Sequence, residues 1–111
     1  MIRRNTHLIL KRGFIEFYIL QLLSKGQIDI HQLIKKLKDV SLLWVEGVIF
    51  PILFDLKRNE YLLKENSSSE DSPTMRLYCI TPKGADKLAA LKAEWGEIED
   101  TTHEFMTDEA Q

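Results

Sequence analysis

The chain has 111 residues, of which 44% are hydrophobic and 29% charged, and its formal net charge is −2 at pH 7. A chain of this length forms one domain with a modest core, which leaves little room for an enclosed active site. Polar residues interrupt its apolar runs well short of the roughly 20 residues that cross a bilayer, so no membrane segment is expected. Its first residues lack the sustained apolar run of a signal peptide, so we expect a cytoplasmic protein.

Charge is distributed unevenly along the chain. Up to Lys64 there are eleven basic and six acidic residues, a balance of +5, whereas the remainder has four basic and eleven acidic residues, a balance of −7. A basic first half is typical of a protein that contacts nucleic acid, although ordinary solvated surfaces account for the imbalance equally well on charge alone.

Residues that carry most enzyme chemistry are sparse. Cys79 is the only cysteine, which excludes a disulfide within the chain. His7, His31 and His103 lie in separate regions without the spacing of a metal-binding helix, and there is no Gly-rich phosphate loop or nucleophile elbow. We therefore expect no cofactor, no metal site and no enzymatic activity.

Two amphipathic helices are predicted first. Between Ile9 and Leu23 the apolar residues recur at steps of three and four, as on one face of a helix, and Gly26 is placed to end it. Asp29 is a suitable cap for the second helix, and Gln32 is placed to bond back to the cap N–H. The inward stripe of this helix is formed by Leu33, Ile34 and Leu37.

A third helix is predicted within VEGVIFPILFDLKRNEYLL, residues 45–63. Pro51 is compatible with a helix only in its first turn, where the missing N–H would have had no partner, so the helix is expected to begin near Glu46 or Gly47. Gly47 would also let the backbone at this end approach an anion closely. The inward face is formed by Ile49, Ile52, Leu53 and Leu56.

A hairpin and a last helix complete the predicted elements. YLLKE and MRLYCIT are typical of strands, and the polar segment NSSSEDSPT between them predicts a long turn. Thr81 and Pro82 are placed as the cap and first residue of a helix over 82–105, followed by a flexible acidic tail at 106–111. One stripe of this helix predicts packing against a helix of a second copy, through the dimerisation residues Leu88, Leu91, Trp95 and Ile98.

This order of elements is a winged helix-turn-helix, a mostly α fold with a small β-hairpin, and its sequence resembles the PadR family of transcriptional regulators. VEGVIFPILFDL is similar to the family's S-E-G-T-L-Y-P segment, MRLYCITPKG to its R-K-Y-Y-x-L-T-x-x-G strand and turn, and LKAEWGEI to its final helix with a central tryptophan. The resemblance implies a homodimeric DNA-binding repressor, with residues 1–81 as the DNA-binding domain and residues 82–105 as the dimerisation helix.

The resemblance also implies the contacts with double-stranded DNA. The third helix would enter the major groove, the wing would touch the neighbouring backbone, and basic residues of the first two helices would add phosphate contacts. The candidate DNA-binding residues are Arg3, Arg4, Lys11, Arg12, Lys35, Gly47, Val48, Phe50, Pro51, Lys57, Arg58, Arg76 and Tyr78. Small members of the family bind a small-molecule effector at the dimer interface, where Trp95 is either a stacking platform or simply a packing residue.

The third helix departs from the family pattern on its outer face. Val48 and Phe50 replace a threonine and a tyrosine, so two hydroxyls are lost, and Phe54 and Asp55 replace a basic pair. Phe50 and Phe54 either pack beneath the wing or form an exposed apolar patch, which would favour a protein partner. The alternative hypothesis is therefore a winged-helix adaptor that binds a protein through this pair, although the basic residues favour DNA.

Overall fold

The computed structural model describes residues 6–42, 46–67 and 75–110. Its elements confirm the predicted fold class, which is mostly helical with a small antiparallel sheet. In chain order they are α1 (Thr6–Leu23), β1 (Ile28–Asp29), α2 (Ile30–Asp39), a 3-10 turn (Glu46–Val48), α3 (Ile49–Arg58), β2 (Leu62–Ser67), β3 (Met75–Ile80) and α4 (Pro82–Ala110).

The predicted cap and stop signals of the first two helices are confirmed. Gly26 follows α1 with a φ of +146°, a conformation that side-chain-bearing residues rarely adopt. Asp29 caps α2 by accepting hydrogen bonds from the N–H groups of His31 at 2.8 Å and Gln32 at 3.0 Å. Such a cap contributes about 1 kcal/mol, because these N–H groups have no partner inside the helix.

The start of α3 explains how the helix tolerates Pro51. The 3-10 turn at Glu46–Val48 leads directly into α3, and Pro51 is the third residue of that helix. Its ring therefore lies in the first turn, where no N–H is needed, as the sequence predicts. Val48 stands at the cap position without a side-chain hydrogen bond to the helix.

The sheet has three strands rather than the two of the predicted hairpin. β2 and β3 pair antiparallel with Leu62 opposite Ile80, and β1 pairs with the other edge of β3, with Ile28 opposite Tyr78. β1 is a correction to the sequence prediction, since two residues are too short to show strand alternation. The predicted acidic tip of the wing, including Glu70 and Asp71, lies outside the described residues.

Thr81 joins the sheet to α4. Its hydroxyl donates a hydrogen bond to the Glu60 carbonyl at 2.6 Å and accepts one from the Gly84 N–H at 2.9 Å, so it caps α4 as predicted. The helix continues to Ala110, which corrects the predicted end at Phe105. Its 29 residues correspond to about 44 Å at 1.5 Å per residue, and the molecule extends 63 × 33 × 27 Å.

One hydrophobic core lies between α1, α2, α3 and the sheet. Its helical members come from the stripes that the sequence predicts, whereas the strands add two residues that belong to no predicted stripe, Leu62 and Tyr78. The helical members include Ile15, Ile19, Leu23, Leu33, Leu37, Ile49, Ile52, Leu53 and Leu56. Packing on this core holds α3 beside the hairpin and leaves the outer face of α3 uncovered. None of the helices in the described ranges is long and apolar enough to cross a membrane.

Candidate nucleic-acid interface

A shallow groove of about 160 Å³ separates the outer face of α3 from the wing strands. Phe50 and Phe54 project along it with 46% and 64% of their surface exposed, so neither aromatic ring packs beneath the wing. They lie four residues apart and therefore on one side of the helix. This wing groove, as we call it, is lined by Phe50, Leu53, Phe54, Lys57, Lys64, Arg76 and Tyr78.

Three cationic side chains surround the wing groove. Lys57 comes from the last turn of α3, whereas Lys64 and Arg76 come from the two wing strands. Lys64 lies opposite Tyr78 in the strand register, and Arg76 is two residues from Tyr78. The side chains of Lys64, Arg76 and Tyr78 therefore share one face of the hairpin. Among the described residues, none of these three cations has an ion-pair partner, and all three remain free to meet an anion.

Tyr78 has a different place from the one its sequence context suggests. It is a candidate DNA contact by resemblance, but only 5% of its surface is exposed, and it belongs to the core at the floor of the wing groove. Burial raises the pKa of its hydroxyl, because the phenolate form would lose its hydration. Tyr78 thus supports the groove rather than offering a contact at its surface.

An ion pair between Arg12 and Asp55 links α1 to α3. The guanidinium of Arg12 also lies 3.6 Å from the carboxylate of Glu16, one turn further along α1. Asp55 is therefore less repulsive toward phosphates than its place in α3 suggests, because its charge is balanced by Arg12. Arg12 in turn is not the unpaired cation that the predicted basic arm requires. Arg3 and Arg4 lie outside the described residues, and Lys11 is half-buried on α1.

Two of the three basic residues of α2, Lys35 and Lys38, are also engaged with carboxylates. Lys35 lies 3.3 Å from Asp39, and Lys38 lies 2.5 Å from Glu46 in the 3-10 turn before α3. The hydrogen bond and charge of Lys38 lower the pKa of the Glu46 carboxyl. Charges of both signs line the adjoining cavity of about 280 Å³, so it is less favourable for an anion than the wing groove.

The start of α3 and its last turn hold the remaining candidates. Gly47 and Pro51 are exposed, Val48 is half-buried, and Arg58 is exposed beside Lys57 at the helix end. Among the residues that the structure describes, nothing lies within 4 Å of a Cβ built on Gly47.

A second surface lies between α1 and α4. Phe14 and Trp95 make an edge-to-face contact with ring centroids 5.1 Å apart, and they line an apolar cleft of about 210 Å³. Of the predicted dimerisation residues, Leu88 is only 5% exposed and is already buried within one chain. Leu91 and Trp95 are half-buried, and Ile98 is 53% exposed. The outward part of the stripe therefore begins at Leu91.

Lys64 is the functional candidate that the sequence prediction misses. In the sequence, Lys64 can be placed only by strand alternation, which puts it on the same face as Leu62, two residues earlier. Leu62 is buried. That face can be recognised as the groove side only when the register with β3 is known.

These features define a winged helix-turn-helix, in which an exposed third helix lies beside a β-hairpin wing. Residues 19–90 match the model of the transcriptional regulator PadR-like family. The chain belongs to this family of transcriptional regulators, which is not a class of enzymes, and the predicted resemblance is confirmed.

Solved structures agree with this assignment. A PadR-like transcription factor from Bacteroides fragilis is 33% identical, with a TM-score of 0.77 over 91% of this chain and 98% of that chain. A PadR-like regulator from Bacillus cereus is 27% identical, with a TM-score of 0.76 over 85% and 92% of the two chains. A PadR family regulator from Clostridium difficile, at 22% identity and a TM-score of 0.78, shares the fold over 85% of this chain and 99% of that chain. The comparison with curated proteins finds no match.

Proposed function

We propose that this protein is a cytoplasmic transcriptional repressor that binds promoter DNA as a homodimer, with α3 in the major groove and the wing on the adjacent backbone. The wing groove carries the proposal, because Lys57, Lys64 and Arg76 come from both sides of it and are not neutralised within the described chain. Cations placed beside an exposed helix suit the phosphates that flank a DNA groove.

The homodimer is supported by apolar surface that one chain leaves uncovered. Ile9 and Leu10 are exposed on α1, as are Ile98, Phe105 and Met106 on α4. Gly13 faces the same cleft, and a Cβ built on it would meet nothing within 4 Å, which leaves room for a partner helix. A second copy covering both helices would bury this surface and place two recognition helices on one duplex.

The cleft between α1 and α4 also supports a small-molecule effector. Its walls are almost entirely apolar, and Phe14 and Trp95 offer aromatic surface to a flat hydrophobic compound. Binding there would act on the arrangement of the two copies. The test is quenching of tryptophan fluorescence by a panel of planar aromatic compounds, compared with the same titration of Trp95→Phe, which should remove the response.

The experiment that tests DNA binding uses the DNA upstream of the protein's own gene. Fluorescence anisotropy at about 50 mM salt should show preference for that fragment over random duplex of equal length, with a Kd between nanomolar and low micromolar. No preference for any promoter fragment would contradict the proposal.

A protein adaptor is the second candidate, and the exposure of Phe50 and Phe54 favours it. On an adaptor, one of these rings would be a central anchor, and Phe54→Ala would release the partner without altering fold or dimerisation. The two candidates separate on charge: a DNA reader needs Lys57, Lys64 and Arg76, whereas an apolar protein interface tolerates their removal.

A further inference from the structure

The outer face of α3 lacks the side chains that usually read bases. Phe50, Pro51 and Phe54 are the exposed residues of its first two turns, and none of their side chains donates or accepts a hydrogen bond. Asp55, the polar residue nearest to them, is held by Arg12. Hydrogen-bonding groups return only with Lys57 and Arg58 in the last turn.

The surroundings of the two aromatic rings restrict what can cover them. Lys57, Lys64 and Arg76 share the wing groove with Phe50 and Phe54, so the occupant must present negative charge beside apolar surface. The major groove of double-stranded DNA meets both requirements, because phosphates border it and its floor carries one apolar group, the C5 methyl of thymine.

The spacing of the rings also suits base pairs. Phe50 and Phe54 are one helical turn apart, which separates them by about 6 Å along the helix axis. Successive base pairs rise by about 3.4 Å, so two rings on a helix lying along the groove would meet bases about two steps apart.

We propose that Phe50 and Phe54 read DNA by apolar contact with thymine methyl groups in the major groove, so that sequence preference comes from methyl recognition while the groove cations hold the phosphates. This inference rests on the proposed DNA binding and specifies how it selects sequence. It predicts an operator half-site with thymines about two base pairs apart where α3 lies.

Replacing thymine with uracil tests the inference, since the two bases differ only in the methyl group. Duplexes bound by the wild-type chain are selected from a random pool of synthetic 20-base-pair DNA, and the enriched sequence is then made with thymine or with deoxyuridine at each position. Removing one contacted methyl should weaken binding about fourfold, which corresponds to about 0.8 kcal/mol.

Two variants assign the effect to the rings. The Phe54→Ala variant should bind the thymine duplex and the uracil duplex with equal affinity at one position, because the methyl group there has lost its contact. Lys57→Ala is the control, and it should weaken binding to both duplexes while preserving their ratio. Both side chains are exposed, so neither substitution opens a cavity in the core.

The possible results separate the inference from the function on which it rests. Salt-dependent, sequence-selective binding with equal affinity for thymine and uracil duplexes would overturn methyl reading and leave DNA binding intact. A thymine preference that persists in Phe54→Ala would do the same. No enrichment of any duplex, tighter binding to single strands, or a protein partner lost in Phe54→Ala would overturn both.

Discussion

Gly84→Ala tests how the structure joins α4 to the wing. A Cβ built on Gly84 would lie 1.9 Å from the Tyr61 carbonyl oxygen and 2.8 Å from Cγ1 of Ile80, so the first turn of α4 must move away from the sheet. The same turn contains the Gly84 N–H bond to Thr81, whose own N–H donates to Tyr61 at 3.1 Å. Moving the helix therefore strains both hydrogen bonds.

The expected loss follows from three contributions. Overpacking against rigid backbone costs about 2 kcal/mol, and weakening the two hydrogen bonds costs about 1 kcal/mol more. The higher helix propensity of alanine offsets about 1 kcal/mol of this. We expect a net loss of about 2 kcal/mol, which lowers the Tm by about 8 °C for a domain of this size.

Urea and thermal unfolding followed by circular dichroism measure this loss. Gly96→Ala is the matched control in the same helix, because a Cβ there meets nothing within 4 Å and helix propensity alone should raise stability by about 1 kcal/mol. A Gly84→Ala protein as stable as wild type would refute the packing of α4 against the Tyr61 carbonyl.

Three further predictions concern the dimer, alkaline pH and the ion pair of α3. Ile98→Asp should yield monomer in analytical ultracentrifugation, because a dimer would bury an unpaired charge at the interface. The control Ala93→Asp should remain dimeric. A dimeric Ile98→Asp protein would contradict the proposed interface. Burial raises the pKa of Tyr78 above its ordinary 10.0, so the folded state keeps this proton to higher pH than the unfolded state does. The contribution of Tyr78 to the free energy of unfolding should therefore be fully present below pH 10 and be lost as pH rises through the folded pKa. Tyr78→Phe should lessen that decline in urea titrations. If the variant and the wild type lost stability equally at alkaline pH, the burial of Tyr78 would not be the cause of the decline. Asp55→Asn should strengthen DNA binding severalfold at low salt, since it removes a carboxylate and frees Arg12, and unchanged affinity would place this pair outside the contact surface.

Local signals made most of the fold predictable. Asp29 and Thr81 cap their helices because a cap depends on residues within one turn, and Pro51 limits where α3 starts for the same reason. β1 was beyond such reasoning, since Ile28 and Asp29 form a strand only through pairing with β3. The apolar stripe of α4 ends at Phe105, which predicts the helix end there. The polar residues that follow contain no stop signal, and the helix continues through them to Ala110.

The candidate site was less predictable because it depends on contacts between distant segments. Arg12 and Asp55 are 43 positions apart, and nothing near either residue indicates that they pair. Tyr78 looks like a surface contact beside Arg76, but the strand register turns its ring into the core. Lys64 gains its place only through the same register. The exposure of Phe50 and Phe54, in contrast, follows from the helical period and was among the alternatives that the sequence offers.

The salt dependence of DNA binding tests the central claim most directly. The logarithm of the binding constant falls with the logarithm of salt concentration by about 0.9 for each phosphate neutralised, so three groove cations in each of two copies contribute a slope of about 5. The triple variant Lys57→Ala, Lys64→Ala, Arg76→Ala should lose about that much of the slope. A control that replaces three lysines of α4 outside the wing groove, Lys83, Lys87 and Lys92, should keep it. An unchanged slope in the groove variant, or equal loss in both, would contradict the assignment of the wing groove as the DNA-binding surface.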